Sequence, residues 1–352
     1  MGDTRLLTKR LILCGFGKVG KAFATLLTER KHQIDQKYGL NLELTAVVDI
    51  GGAAVSKQDA LPVNKLLSHA EKGSPVESFA GHGIPGISGT EVISSLKADV
   101  LVETTPTNLI DGQPGWGHMQ AALERGIDIV SANKGPLVLY YRELHELAKA
   151  KGCHIFMSAA TAAALPTLDV GMLCLAGSQV ISIEGILTGT TNYILTRMHE
   201  DKCTYDTALR EAKELGIAET DPSLDVEGLD TRNKLFLIAN RIFEKIFDLE
   251  DLKVTGITGI LPEDIEKASS DGKVIKLVGT ARLEKGTVTL KVEPQALELD
   301  HPLAAVNYSE KGICYLTDTM GRITVIGGKS SPVGAAAALI KDLIHSSLFS
   351  PP

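Results

Sequence analysis

Apolar and polar positions alternate along this chain in two rhythms. In the first part, short unbroken apolar runs, closed by glycine or polar turns, take turns with segments whose apolar residues return every three or four positions. Lys9-Arg-Leu-Ile-Leu-Cys14 predicts a strand, and Lys-Ala-Phe-Ala-Thr-Leu-Leu after Gly20 predicts a helix. Further strands are predicted over 44–49, 98–103, 126–130 and 153–157, with a helix over 138–151. Strands and helices interleaved in this way predict a parallel sheet covered on both faces. Residues 51–97, rich in Gly, Ser, Pro and His, predict only one or two short helices.

From residue 160 the rhythm changes. A helix is predicted over 160–176, an alternating strand over 180–187, a helix opened by Gly189-Thr190, and another over 204–215. Pro222, Ser223 and Gly228 then mark a loop, followed by a helix from 229 to about 247. Strands are predicted over 273–284, 287–292 and 312–316, and a last strand and helix over 322–327 and 333–344.

The first strand ends in Gly15-Phe16-Gly17-Lys-Val19-Gly20. Gly15 permits a tight turn, Gly17 lets a pyrophosphate approach the backbone, and Gly20 lets the helix close on the strand. The N–H groups at the helix N-terminus then face the phosphates. The second strand ends in Asp49, where a ribose-binding carboxylate belongs in such a fold, although an acid that simply ends a strand is the plainer alternative. A carboxylate there repels a 2′-phosphate and favours NAD; Lys57, shortly after it, has the reach to hold such a phosphate, so NADP stays open. Thr105 and Lys134 follow the strands at 98–103 and 126–130, at the sheet end where doubly wound folds bind ligands. They suit a nicotinamide ribose and a polar substrate; ordinary turn chemistry is the alternative. The expected class is α/β, with a Rossmann-type doubly wound parallel sheet over 1–153. A second α+β domain covers 154–318, and a strand and helix over 319–352 return to the first domain.

Composition narrows the partners. With 352 residues, 44% apolar and 22% charged, the chain has room for two ordinary globular cores. A net charge of −7 and the lack of any Lys/Arg run exclude nucleic acid. No apolar run reaches ~18 residues, so no membrane span is expected, and the first ten residues hold no signal-peptide core. The cysteines at 14, 153, 174, 203 and 314 are scattered, with no Cys-x-x-Cys, which suits thiols in a reducing cytoplasm. The histidines have no ligand spacing, so no zinc site is expected.

Residues 215–234 concentrate chemistry: Glu219, Asp221, Asp225, Glu227 and Asp230, then Lys234. Asp230 and Lys234 are i and i+4 on the predicted helix, so they share a face. Leu237, Ile238 and Ile242 continue that face, which points to a lysine used in proton transfer. The plain alternative makes Asp230 the N-cap and lets Lys234 reach out to water. Gly189-Thr190 offers helix N–H groups to a carboxylate, or Thr190 is only a cap.

Five motifs agree with one family: Gly15–Gly20, Val102-Glu-Thr-Thr-Pro-Thr-Asn108, Ala132-Asn-Lys134-Gly-Pro, Gly185-Ile-Leu-Thr-Gly-Thr-Thr-Asn-Tyr-Ile-Leu195 and Leu215–Lys234. By these the chain resembles the homoserine dehydrogenases, in the short form without a regulatory extension, over nearly its whole length. The resemblance implies NAD- or NADP-dependent interconversion of homoserine and aspartate 4-semialdehyde, within threonine and methionine biosynthesis. It implies Lys234 as acid/base with Asp230 as its partner, and Glu219 and Asp225 on the substrate amine. It also implies Gly189 and Thr190 on the substrate carboxylate, Lys134 near the nicotinamide and substrate, and Thr105 near the ribose. A homodimer through the second domain is implied as well.

The chain departs from the family at two places, one of them the glycine-rich turn before the last helix, which here reads Gly327-Gly-Lys-Ser-Ser-Pro-Val-Gly334. Many members carry a Glu and a glycine pair before the proline matching Pro166 and hold a monovalent cation there. Here Ser158 replaces the Glu and Ala163-Ala164 the glycines, and a hydroxyl is a poor ligand for a hard cation. The carbonyls of Thr161, Ala163 and Leu165 would line such a site. Two rival readings are another amino-acid dehydrogenase on the same scaffold, and a non-catalytic nucleotide-sensing protein.

Overall fold

The computed structural model describes residues 6–56 and 59–348, so Lys57 lies outside the described residues. The chain divides into two compact units, Met1–Ala160 with Ser331–Pro352, and Thr161–Ser330.

The first unit is built on a seven-stranded sheet, β4-β3-β2-β1-β5-β6-β7. Its strands are β1 (Leu7–Cys14), β2 (Leu40–Asp49), β3 (Gly52–Val55), β4 (Gly83–Pro85), β5 (Val100–Glu103), β6 (Asp128–Ser131) and β7 (Ile155–Phe156). β2, β1, β5, β6 and β7 run parallel, as the short apolar runs predict. The order reverses at β1, which has β2 on one side and β5 on the other, and ligands of such sheets bind beyond the strand ends at that switch. β3 and β4 are antiparallel additions inside the stretch expected to hold only helices. The expected helix over 138–151 is two, Lys134–Leu139 and Tyr141–Lys151. The helix Pro332–Leu348 packs in this unit, its Leu339, Ile340 and Leu343 sharing a core with Leu13, Phe23 and Leu27. Its buried Asp342 accepts from Ser158, from the backbone N–H at 2.9 Å and the hydroxyl at 2.7 Å.

The second unit holds a six-stranded sheet, β13-β12-β8-β10-β11-β9. The strands are β8 (Val180–Ile186), β9 (Lys253–Val254), β10 (Lys273–Glu284), β11 (Thr287–Glu298), β12 (Gly312–Thr317) and β13 (Arg322–Ile326). β13 was expected to return with the last helix to the first domain; it pairs antiparallel with β12 instead. The reason is local: the tight turn closed by Thr317 N–H to Gly321 O at 2.9 Å makes a hairpin, and a hairpin keeps its second strand in the same sheet. The helix expected over 160–176 is broken into Ser158–Ala162, Thr167–Asp169 and a wider turn Val170–Cys174. Ala163 at φ 53° and Pro166, which has no N–H to donate, explain the break. The helix Leu229–Ile242 packs on β8, β10 and β11.

This unit also buries charge. Lys276 on β10 is 2% exposed, and its ammonium donates to Val306 O at 2.6 Å, Asn307 Oδ1 at 3.0 Å and Asn192 Oδ1 at 3.1 Å. Burial pushes it down from an ordinary 10.5 to about 8, against the opposing pull of Glu200. Between those values the unfolded chain holds the extra proton, so the contribution of Lys276 to stability rises with pH across that window. The melting temperature of the wild type minus that of Lys276→Met should climb as pH rises from about 8 to about 10. A flat difference would show that the ammonium is not strained by its burial.

Candidate active site

The glycine turn has the shape a dinucleotide needs. Gly15 adopts φ 91°, and a Cβ there would lie 2.7 Å from the backbone of Thr104 and Thr105. A Cβ on Gly20 would lie 2.1 Å from Gly15 O, whereas one on Gly17 would meet no atom within 4 Å. The first and third glycine positions are therefore closed by packing, and Gly17, the second, faces open space. The helix Lys18–Tyr38 begins with no side-chain cap and no acid in its first turn, which leaves N–H groups for a phosphate. Phe16 is 2% exposed, so it offers only backbone to a cofactor, while Val19 is half-buried. Asp49 ends β2, half-buried, and the fully exposed Ile50 follows it. A Cβ on Gly51 would lie 2.1 Å from the Glu77 carboxylate, so a second acid sits at the same turn.

Thr105 belongs to a network that sequence reasoning missed. Glu103, at the end of β5 and 0% exposed, accepts from Thr105 N–H at 2.7 Å and from the Thr105 hydroxyl on one oxygen. Its other oxygen pairs with His118 Nδ1 at 2.9 Å. Asn133 Nδ2 donates to the Thr105 hydroxyl at 3.0 Å, and Asn133 Oδ1 accepts from Gly135 N–H at 3.0 Å, capping the helix that starts at Lys134. One buried carboxylate thus holds Thr105, which in turn binds Asn133, the residue before Lys134, and so ties the loops after β5 and β6 together. Cys14 lies against Glu103 and His118. Burial first, and the Glu103 charge second, push its thiol well above the usual range. A protonated thiol is a poor metal ligand, and both Glu103 oxygens already accept hydrogen bonds, so the cluster reads as a hydrogen-bonded support.

In the second unit the acid/base candidates meet at the end of β8. Lys234 Nζ donates to Leu187 O at 2.9 Å and pairs with Asp230 Oδ2 at 2.5 Å. The side chains of both are 14% exposed. Thr188 Oγ1 donates to Asp230 at 3.2 Å and lies 3.0 Å from Thr231 Oγ1. Lys234 therefore does not reach out to water alone; two oxygens fix its direction. Nor is Asp230 the cap, because Gly228 at φ 81° takes that position and Asp230 stands in the first turn.

The helix Gly189–Asp201 starts two residues beyond Leu187. Its N-cap, Thr188, makes no side-chain cap bond, so first-turn N–H groups stay available. Thr190 is not a cap; its hydroxyl donates to Ile217 O at 3.2 Å, which draws the acid-rich segment to this helix. Gly189 has a packing reason of its own, since a Cβ would lie 2.8 Å from Ser309 O. Glu219 is exposed and Asp225 half-buried on the segment that follows. Asp221 holds Ser223 N–H at 3.1 Å and the Ser223 hydroxyl, which lower its pKa, and Glu227 is exposed. The contacts join Asp230 and Lys234 to Leu187 and Thr188, directly before Gly189 and Thr190 in sequence, while Glu219 and Asp225 lie on the acid-rich segment.

Comparison with known proteins gives a consistent family. A profile described as "Homoserine dehydrogenase" matches residues 166–344, and "Homoserine dehydrogenase, NAD binding domain" matches 15–158. A homoserine dehydrogenase of Methanocaldococcus jannaschii is 39% identical over 95% of this chain and 97% of its own length. An NAD(+)-dependent homoserine dehydrogenase of Pseudomonas canavaninivorans is 34% identical over 96% of this chain and 95% of its own. The crystal structure of a putative homoserine dehydrogenase from Archaeoglobus fulgidus covers 97% of this chain and all of that one, with a TM-score of 0.84 and 32% identity.

The Glu103 network predicts the behaviour of Glu103→Gln. An amide keeps the volume but cannot accept on both sides as the carboxylate does. The variant should fold and bind a nicotinamide dinucleotide ~10-fold more weakly in a fluorescence titration. Unchanged affinity would reduce the network to a structural support.

Proposed function

The chain belongs to the homoserine dehydrogenase family, and from that premise we propose that it interconverts L-homoserine and L-aspartate 4-semialdehyde with Lys234 as the acid/base. The observation that carries the role is the position of the Lys234 ammonium, oriented by Asp230 and Leu187 O at the start of a helix with available N–H groups. A substrate with a carboxylate, an amine and a C4 oxygen needs three kinds of partner. The backbone N–H groups of Gly189 and Thr190 receive the carboxylate. Glu219 and Asp225 hold the amine. Lys234 meets the C4 oxygen.

When bound, a nicotinamide cofactor supplies or accepts the hydride. Gly15, Gly17, Gly20 and the N-terminus of the helix Lys18–Tyr38 fit its pyrophosphate, while Thr105 and Lys134 take its nicotinamide end. In aldehyde reduction the Lys234 ammonium gives its proton to the C4 oxygen. In alcohol oxidation the amine takes that proton. Asp230 keeps Nζ directed at the reacting oxygen, and Thr188 keeps Asp230 in place.

The reading favours NAD. Asp49 and Glu77 put two carboxylates at the turn where a 2′-phosphate would sit, and Ile50 offers an apolar face for an adenine. A relative described as NAD(+)-dependent and a hyperthermophilic archaeal homoserine dehydrogenase mutant in complex with NADPH, 26% identical over 98% of this chain with a TM-score of 0.82, show that both cofactors occur among similar proteins. The reading also takes the chain as a homodimer in the cytoplasm serving threonine and methionine biosynthesis. In its support, all five cysteines are free and, among the described residues, no helix is long and apolar enough to cross a membrane. Light scattering decides the dimer.

Lys234→Ala should keep dinucleotide affinity and lose ~10²-fold or more in turnover of homoserine, followed by NADH absorbance; near-normal rates would remove Lys234 from the chemistry. Asp49→Ser should shift the ratio of kcat/KM for NAD over NADP toward NADP by ~10-fold or more. An unmoved ratio would sink the assignment of Asp49 to the ribose.

A further inference from the structure

The fold family implies a monovalent cation at the turn before Pro166, and the residues of this chain do not fit one. Ser158 stands where the carboxylate ligand would be, and its hydroxyl is engaged: it donates to Asp342 at 2.7 Å and accepts from Lys341 Nζ at 2.9 Å. The Thr161 hydroxyl is within 2.8 Å of Thr167 Oγ1. More telling is what meets the turn itself. Lys311 is 1% exposed, one of the largest fully buried side chains, and its ammonium donates to Ala162 O at 2.6 Å.

That ammonium is held in place by the sheet. Lys311 immediately precedes β12, and its carbonyl accepts from Gly327 N–H at 2.9 Å, so the hairpin of β12 and β13 fixes its backbone. The adjoining Gly328 presses on the turn, where a Cβ would lie 2.5 Å from Leu165 N. Ala163 keeps φ 53°, a left-handed conformation costly for a residue with a side chain, so the surroundings enforce the shape of the turn. A buried ammonium requires oxygen dipoles around it, as a dehydrated metal ion does. A metal ion on the neighbouring carbonyls of Thr161 and Ala163 would meet this ammonium one residue away and be repelled at short range in a medium of low dielectric constant.

We propose that the Lys311 ammonium is a built-in cation: at the Ala162 carbonyl, between the Thr161 and Ala163 carbonyls that would line a metal site, it supplies the positive charge that sodium or potassium would bring to this turn, so the protein needs no monovalent metal. The turn that precedes Pro166 is then organised by a covalently attached group and not by an ion drawn from the medium.

The test compares sodium, potassium and choline chlorides at matched ionic strength, with thermal melting as the first readout and homoserine oxidation as the second. Melting is independent of which substrate the enzyme takes, so a failure here is separate from a failure of the functional reading. A metal bound only by the folded state raises the melting temperature with concentration. Wild-type protein should melt at the same temperature and turn over at the same rate in all three salts. Lys311→Ala should melt lower in choline and recover part of the loss in sodium or potassium, whereas Lys311→Met, which fills the space with an apolar chain, should recover none. A saturable rise of wild-type melting or turnover in sodium or potassium over choline would overturn the proposal. So would a Lys311→Ala protein that melts in choline at the wild-type temperature. Should Lys311→Ala fail to fold in every salt, the wild-type comparison still decides.

Discussion

The second unit turns on the end of β8, where one short stretch of backbone serves both proton transfer and substrate binding. Leu187, just beyond the strand, offers a carbonyl that Lys234 needs, and Thr188 supplies a hydroxyl to Asp230. The next residues begin a helix whose first N–H groups are uncapped. Because these groups follow one another in sequence, their spacing is set by covalent geometry. The helix Leu229–Ile242 only has to bring two side chains, four residues apart, to a place already made.

The first unit solves a similar problem with a buried acid. Glu103 gives one oxygen to Thr105 and the other to His118 on the helix Gly115–Glu124, and Thr105 in turn accepts from Asn133, so the loops beyond β5 and β6 are tied without regular structure. In each unit a carboxylate shielded from much of the solvent accepts more than one hydrogen bond and so holds neighbouring segments together. A satisfied polar cluster of this kind specifies one arrangement of loops where apolar packing alone would allow several.

Much of this was legible in the sequence. The parallel strands announced themselves as short apolar runs, and Lys234 with Asp230 was visible from spacing alone. β3 and β4 were not legible, because strands of four and three residues in a Gly- and Pro-rich segment carry too little pattern. The helices Gly115–Glu124 and Pro262–Ser270 escaped for related reasons, the first opening on Gly-Trp-Gly and the second short and polar. The strand β13 was read with the helix after it, since a strand followed by a helix suggests a crossover; only the turn at 317–321 shows otherwise. Glu103 was hidden as the end of an apolar strand, and His118, with which it pairs, lies 15 residues away. Lys311 gave no signal, because burial of a lysine depends on what the rest of the chain wraps around it.

The discontinuous first unit has a consequence for synthesis. Phe23 and Leu27 share their core with Leu339 and Leu343, so the early residues leave the ribosome long before the helix that covers them exists. The second unit is a single continuous segment and has all its strands in hand sooner. Domains mature in the order in which their residues become available. The glycine turn at the start of the chain therefore reaches its final surroundings last, after the unit that lies between its two parts in sequence has already had time to form.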